Sequence, residues 1–176
     1  MIFSSDQIEK ATACPRGNVV TNWPYICNAL EDAGISSKNV EIAAAATVAV
    51  ETGIFKPLKE RQADLAKQPA LAALQARYYP SGYYGRGFIQ LTWKDNYQKY
   101  AQLTGVDLVG NPDLLLQPHV SAQVLALFFQ ENHIDVAAND QDWRKVRKLV
   151  NGGLMGWDYY SKIICKLTMG VDDGLG

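Results

Sequence analysis

Ile42 to Val50 reads Ile-Ala-Ala-Ala-Ala-Thr-Val-Ala-Val, with one hydroxyl and no charge. Ser36 or Ser37 is available to cap a helix that runs through it to about Val50 and ends near Gly53. A helix apolar almost all round belongs inside a core. It is too short to cross a bilayer, so other helices must surround it. Asn22 is available to cap one through Leu30, stopping at Gly34. Residues 63–77 are Ala/Leu-rich and helical, with Pro69 breaking or restarting the helix. Residues 95–104 form a helix closed by Gly105. Pro118 suits the first turn of a helix through Gln130, with Val124, Leu127 and Phe128 inward. Asp142 caps a helix to Val150, stopped by Gly152-Gly153, and a last helix spans 158–169. The expectation is a mainly α fold, and at 176 residues a single domain over 1–176 without an added binding module.

A net charge of -1 provides no global field to recruit nucleic acid, and no nucleic-acid partner is expected. The basic run Arg144-Lys145-Arg147-Lys148 reads as the solvated face of a helix. Three cysteines leave at least one thiol free, which fits a reducing compartment; a Cys14–Cys27 bridge stays open. No CxxC occurs, and His119 and His133 lie far from every cysteine, so no metal or other cofactor is expected. The start Met1-Ile2-Phe3-Ser4-Ser5-Asp6 has no basic segment followed by an apolar run, so no secretory signal is read there.

Function is concentrated in Tyr83-Tyr84-Gly85-Arg86-Gly87-Phe88-Ile89-Gln90-Leu91-Thr92-Trp93. Alternation predicts an extended or hairpin element with Phe88, Gln90 and Thr92 on one face and Ile89, Leu91 and Trp93 on the other. Aromatic rings beside short polar groups suit sugar: rings stack on pyranose faces while the polar groups bond hydroxyls. Glycoside hydrolysis uses two carboxyl groups, one to protonate the leaving oxygen and one to activate water or attack the sugar. Glu51, at the end of the apolar helix, suits the acid, because the helix dipole and apolar neighbours both disfavour its ionised form. The plainer reading is the first solvated residue past a buried helix. Glu60 follows nine positions on, past a loop at Pro57, where it can face Glu51 across a gap or lie as a surface charge. Asp64 competes more weakly. Thr92 can orient a water or cap the next helix. Asn151 precedes Gly152-Gly153, where asparagine often serves a turn.

Tyr84 to Trp93 followed by Asn96-Tyr97 resembles the signature of family 19 glycoside hydrolases, the plant-type chitinases and related bacteriophage endolysins. Ile42–Gly53 resembles that family's acid-bearing helix. Gly105-Val106-Asp107-Leu108 with Asn111-Pro112-Asp113, then Val150-Asn151-Gly152-Gly153-Leu154, resemble later segments in order. The resemblance implies a lysozyme-like, two-lobed helical fold with a short β-hairpin beside the cleft. It implies Glu51 as general acid, Glu60 as the base activating water with inversion, and Thr92 helping to hold that water. Gln90, Asn96, Tyr97 and Asn151 match sugar-contacting residues; Tyr84, Arg86 and Trp93 complete the expected binding set. Val50 and Ile54 replace the family's His and second Gly. The family's arginine after Asn-Gly-Gly has no counterpart, and Lys162 is the cation nearest that place. Few cysteines, no signal and a short chain resemble the endolysins more than the chitinases. The implied role is a monomeric endolysin acting on peptidoglycan glycan strands. It waits in the host cytoplasm until a holin opens the membrane, then reaches the cell wall. A chitinase and a non-catalytic glycan-binding phage protein are the alternatives.

Overall fold

The structure, a computed structural model, describes residues 1–170. Its helices are α1 (Ser5–Thr12), α2 (Arg16–Asp32), α3 (Lys38–Thr52), α4 (Pro69–Gln75), α5 (Lys94–Thr104), α6 (Pro118–Glu131), α7 (Ile134–Asn139), α8 (Trp143–Asn151) and α9 (Trp157–Met169). Two short strands, β1 (Leu58–Lys59) and β2 (Arg86–Gly87), pair antiparallel, Leu58 with Gly87 and Lys59 with Arg86.

The apolar stretch is the central helix, as its composition requires. The Ser37 hydroxyl accepts from Val40 N at 3.2 Å, and Gly53 closes α3 at φ 68. Ala43 to Ala46 are fully buried. Their methyl groups let α1, α2, α7, α8 and α9 pack around α3, since side-chain size sets how closely helix axes approach. Two apolar clusters form the core. The larger contains Trp23, Ile26, Val48, Phe129 and Ile163; the smaller contains Leu91, Tyr97, Tyr100, Leu115 and Val124. Helix α6 feeds both, and Ile89 and Phe128 touch both. This is the mainly helical architecture, with a small antiparallel sheet, that the resemblance implies.

Several elements differ from expectation. Helix α1 was not anticipated, although Ser4 and Gln7 form a reciprocal capping box at its start. Helix α2 begins six positions before Asn22. Asn22 is no cap: buried in mid-helix, it donates to Asn18 O at 2.8 Å and to Phe55 O at 3.0 Å. Pro69 starts α4, and residues 63–68 are not helical. The short α7 is also new.

The 83–93 run is not a continuous strand. Gly87 (φ 83) and Gln90 (φ 52) turn the chain tightly, so that Arg86 bridges Leu91. Period-two alternation needs uninterrupted extended backbone. Phe88 and Leu91 are therefore both buried, while Trp93 is exposed. The β pairing joins distant segments rather than one local hairpin. Cys14 and Cys27 are buried free thiols, which removes the bridge left open above. Among the described residues, no helix is long and apolar enough to cross a membrane.

Candidate active site

Glu51 stands on the last turn of α3, and the chain beyond it is pinned. The Thr52 hydroxyl donates to Val48 O at 2.7 Å and accepts from Phe55 N at 2.9 Å. From α2, Asn18 donates to Ile54 O at 2.8 Å and Asn22 to Phe55 O. Phe55 adopts φ 57, a left-handed conformation costing roughly 1–2 kcal/mol for a bulky residue. Its buried ring packs edge-on against Trp23, which offsets that cost.

Arg147 is the partner that local sequence did not expose, and it corrects the purely apolar setting expected for Glu51: a buried cation faces the carboxylate. Its Nη1 donates to Glu51 Oε1 at 2.5 Å and its Nε to Met155 O at 2.8 Å. The Arg147 side chain is 2% exposed and that of Glu51 14%. Arg144, Lys145 and Lys148 are exposed, so the solvated-face reading of the basic run holds for three of its four cations. Gly156 explains how the turn after α8 closes over this pair. It adopts φ 74, and a Cβ there would meet Val50 Cγ1 at 2.7 Å. The cation that meets Glu51 thus comes from before Asn-Gly-Gly, while Lys162 is exposed on α9.

Glu60 directly follows β1, and its backbone N donates to Gly85 O at 2.8 Å. Its Oε1 accepts from Gln75 Nε2 at 2.8 Å and the Tyr78 hydroxyl at 2.7 Å. Its Oε2 accepts from Gly85 N at 2.9 Å. Three donors therefore fix the carboxylate plane, which sets aside the surface-charge reading. Burial, and then the neighbouring Glu60 carboxylate, push the Tyr78 phenol above its ordinary range, keeping it a donor. Gln75 was read only as helix. It also accepts from Ala63 N at 2.6 Å and donates to Arg61 O at 2.9 Å, tying α4 to the site. A Cβ on Gly85 would lie 2.9 Å from Gln90 Oε1 and 3.1 Å from Glu60 Oε2. The Gln90 amide and the Glu60 carboxylate thus converge over this glycine. Asp64 is exposed; it accepts from Ala66 N and pairs with Lys67, apart from this convergence.

Thr92 donates to Gln90 O at 2.9 Å. It is not the cap of α5: Trp93 holds that position at φ 77, and no side chain caps it. Asn96 Nδ2 donates to Thr92 O at 2.8 Å, and Gln90 Nε2 donates to Leu58 O and Gly87 O. Trp93 is 42% exposed beside the Glu60 clamp, edge-on to Tyr78 at 5.1 Å and with the Arg77 guanidinium 5.9 Å from its ring centre. Asn151, exposed, ends α8.

Three of the expected sugar contacts also take part in the framework. Arg86 is buried; its Nε pairs with Asp113 at 2.7 Å and its Nη1 donates to Gly82 O, Tyr84 O and the Tyr97 hydroxyl. Tyr97 is fully buried, donates to Tyr84 O at 2.7 Å, and burial pushes its phenol up to about 12. Tyr84 stacks on Tyr79 at 4.2 Å, with the Arg86 guanidinium 4.0 Å from its ring centre. Arg86 and Tyr97 are buried and spend hydrogen bonds inside the protein, while Tyr84 is half-buried with its ring against Tyr79 and Arg86.

Comparison with known proteins agrees with this architecture. The glycoside hydrolase 19 family model, described as chitinase class I, matches residues 36–140. Chitinase 6 of Oryza sativa subsp. japonica is 35% identical over 74 residues, covering 42% of this chain and 27% of that protein. Inactive chitinase-like protein 1 of Hevea brasiliensis is 31% identical over 99 residues, 43% of this chain and 32% of that protein. Acidic endochitinase SP2 of Beta vulgaris is 29% identical over 155 residues, 83% of this chain and 53% of that protein. The chain thus spans about a quarter to a half of these relatives' lengths. Chitinase C from Streptomyces griseus shares the fold, with TM-score 0.63 and 21% identity over 94% of this chain and 75% of that one.

Proposed function

The chain belongs to the chitinase class I family of glycoside hydrolases, and from that premise we propose that it hydrolyses β-1,4 bonds in N-acetylated glycans. The carrying observation is a pair of glutamates held in different ways, Glu51 by a buried guanidinium and Glu60 by three neutral donors.

Arg147 occupies Glu51 Oε1. Among the described residues Oε2 has no protein partner, so this oxygen carries the proton to the leaving glycosidic oxygen. At Glu60, Oε1 is spent on Gln75 and Tyr78, while Oε2 keeps a lone pair for a water beside the Gly85 amide. The Thr92 hydroxyl donates to its own segment, so its lone pairs are left to accept from that water. In the reaction the water adds to the anomeric carbon from the face opposite the leaving group. Its proton passes to Glu60 and the acid proton of Glu51 passes to the departing sugar. Inversion requires the two carboxyl groups to be roughly 6.5–9.5 Å apart, with the water between them. Gln90, Trp93, Asn96 and Asn151 orient the sugars.

The substrate we propose is peptidoglycan, at the bond between N-acetylmuramic acid and N-acetylglucosamine, in an endolysin released to the cell wall by a holin. The scarcity of cysteine supports this choice. The test compares purified Gram-negative sacculi with a soluble chitin hexamer. Reducing ends from sacculi support the endolysin reading; turnover of chitin alone replaces it with a chitinase. The relative named inactive favours a second reading, a non-catalytic glycan binder, which sacculus binding without released reducing ends would support.

A further inference from the structure

A groove of about 410 Å³ opens between α2 and α6, beside α5. That volume falls in the range of ligand sites, roughly 300–1,000 Å³. Neither Glu51 nor Glu60, nor any residue that clamps them, lines it. The groove has an apolar wall and a polar rim. Tyr25 and Leu103, each 44% exposed, form the wall. Asn28, Asp32, His119 and Gln123 form the rim. Among the described residues, none of these four side chains has a hydrogen-bond partner in the protein.

The lining selects its ligand by what it contains and what it lacks. Side-chain amides both donate and accept, as does a neutral imidazole, and Asp32 accepts only. Sugar hydroxyls and N-acetyl amides carry the matching donors and acceptors. An exposed phenol ring beside a leucine offers a flat apolar surface to pyranose C–H groups. No lysine or arginine lines the groove, and Asp32 repels anions. That excludes phosphate and nucleic-acid ligands, which are held by cations.

We propose that this groove is a second binding site for a β-1,4-linked N-acetylated glycan strand, separate from the hydrolytic site and resting on the glycan-hydrolase reading above. A polymeric substrate then meets two grips on one small domain. Engagement of the second raises the local concentration of strand at the first.

The test is a titration of the N-acetylglucosamine tetramer into the ¹⁵N-labelled full chain carrying Glu51→Gln, which prevents turnover, followed by amide shifts. The expected result is two saturable sets of shifts, one around Gly85 and Gln90 and one around Asn28 and Gln123. Tyr25→Ala and Asp32→Ala should each abolish the second set and leave the first. With catalysis intact, Tyr25→Ala should leave tetramer turnover unchanged and lower release from sacculi about tenfold. Shifts confined to the Gly85 set overturn the second site while leaving the hydrolase reading standing. Shifts at neither site also overturn the second site, and the hydrolase reading is then decided by reducing-end release from sacculi.

Discussion

Replacing Arg147 with alanine breaks a nearly buried charge pair from its deeper end, and the cost can be worked from its contacts. The guanidinium donates to the Glu51 carboxylate and to Met155 O. Both hydrogen bonds involve the charged guanidinium, and each contributes about 1.5 kcal/mol, the low end for a charged group because Met155 is exposed. The total, about 3 kcal/mol, is the lower end of the range for breaking a buried pair. The lower end fits, because Glu51 retains some access to water. For a chain of this size, each kcal/mol moves the thermal midpoint by roughly 2–4 °C. Arg147→Ala should therefore lower Tm by roughly 6–12 °C. Arg147→Lys should recover only part of this, since one ammonium cannot reproduce the fork spanning Glu51 and Met155. Glu51→Gln keeps an acceptor for Nη1 and should cost less than Arg147→Ala. The assay is thermal and urea unfolding followed by circular dichroism, with the double variant closing the cycle. A coupling energy of about 1–3 kcal/mol is expected. If Arg147→Ala unfolds within about 0.5 kcal/mol of the native chain, the pair does not hold the end of α3.

Other outcomes follow from the Glu60 clamp and from the thiols. Tyr78→Phe removes one of three donors to Glu60 and should lower kcat about tenfold, with KM and Tm nearly unchanged; an unaltered kcat would show the phenol to be a bystander. Gly85→Ala keeps an allowed backbone but drives a methyl against Gln90 Oε1 and Glu60 Oε2. It should yield a folded protein with activity reduced about a hundredfold, and full activity would contradict the convergence at this glycine. Burial, with the Glu41 carboxylate nearby, raises the Cys27 thiol from an ordinary 9.0 to about 12. The folded state then binds more protons than the unfolded one between these values. Cys27's contribution to stability should be complete below pH 9 and decline as pH rises toward 12, by about 1.4 kcal/mol per unit. Urea unfolding of the native chain and Cys27→Ala at pH 8 and 10.5 checks this; equal slopes with pH in both would refute it.

The legible parts of the sequence were those whose signal is local. Ser37, the alanines of α3 and Gly53 specify a buried helix with a start and a stop, so Glu51 could be located without coordinates. Gly105 and Asp142 mark the ends of α5 and α8 for the same reason. The alternation of 83–93 misled because two non-glycine residues, Gln90 and Trp93, adopt positive φ, and nothing in a glutamine or a tryptophan announces that. Arg147 was hidden in a basic run, since its burial depends on where Gly156 returns the chain across α3. Gln75 and Tyr78 gave no signal as partners of Glu60, because they reach it from a separate short helix and turn. Arg86, Tyr84 and Tyr97 were legible as a set through the family resemblance, but not how they hold one another: packing makes them a brace for the loop that carries Gly85 and Gln90.

The central claim is that Glu51 and Glu60 act as acid and base on one glycosidic bond. The direct measurement is the initial rate of reducing-end release from sacculi and from the chitin hexamer, for the native chain, Glu51→Gln and Glu60→Gln. Circular dichroism would show each variant folded. On whichever glycan the native chain cleaves, the account predicts that each substitution lowers the rate by at least about a hundredfold. Native-like rates in either folded variant would remove that glutamate from the chemistry and contradict the account.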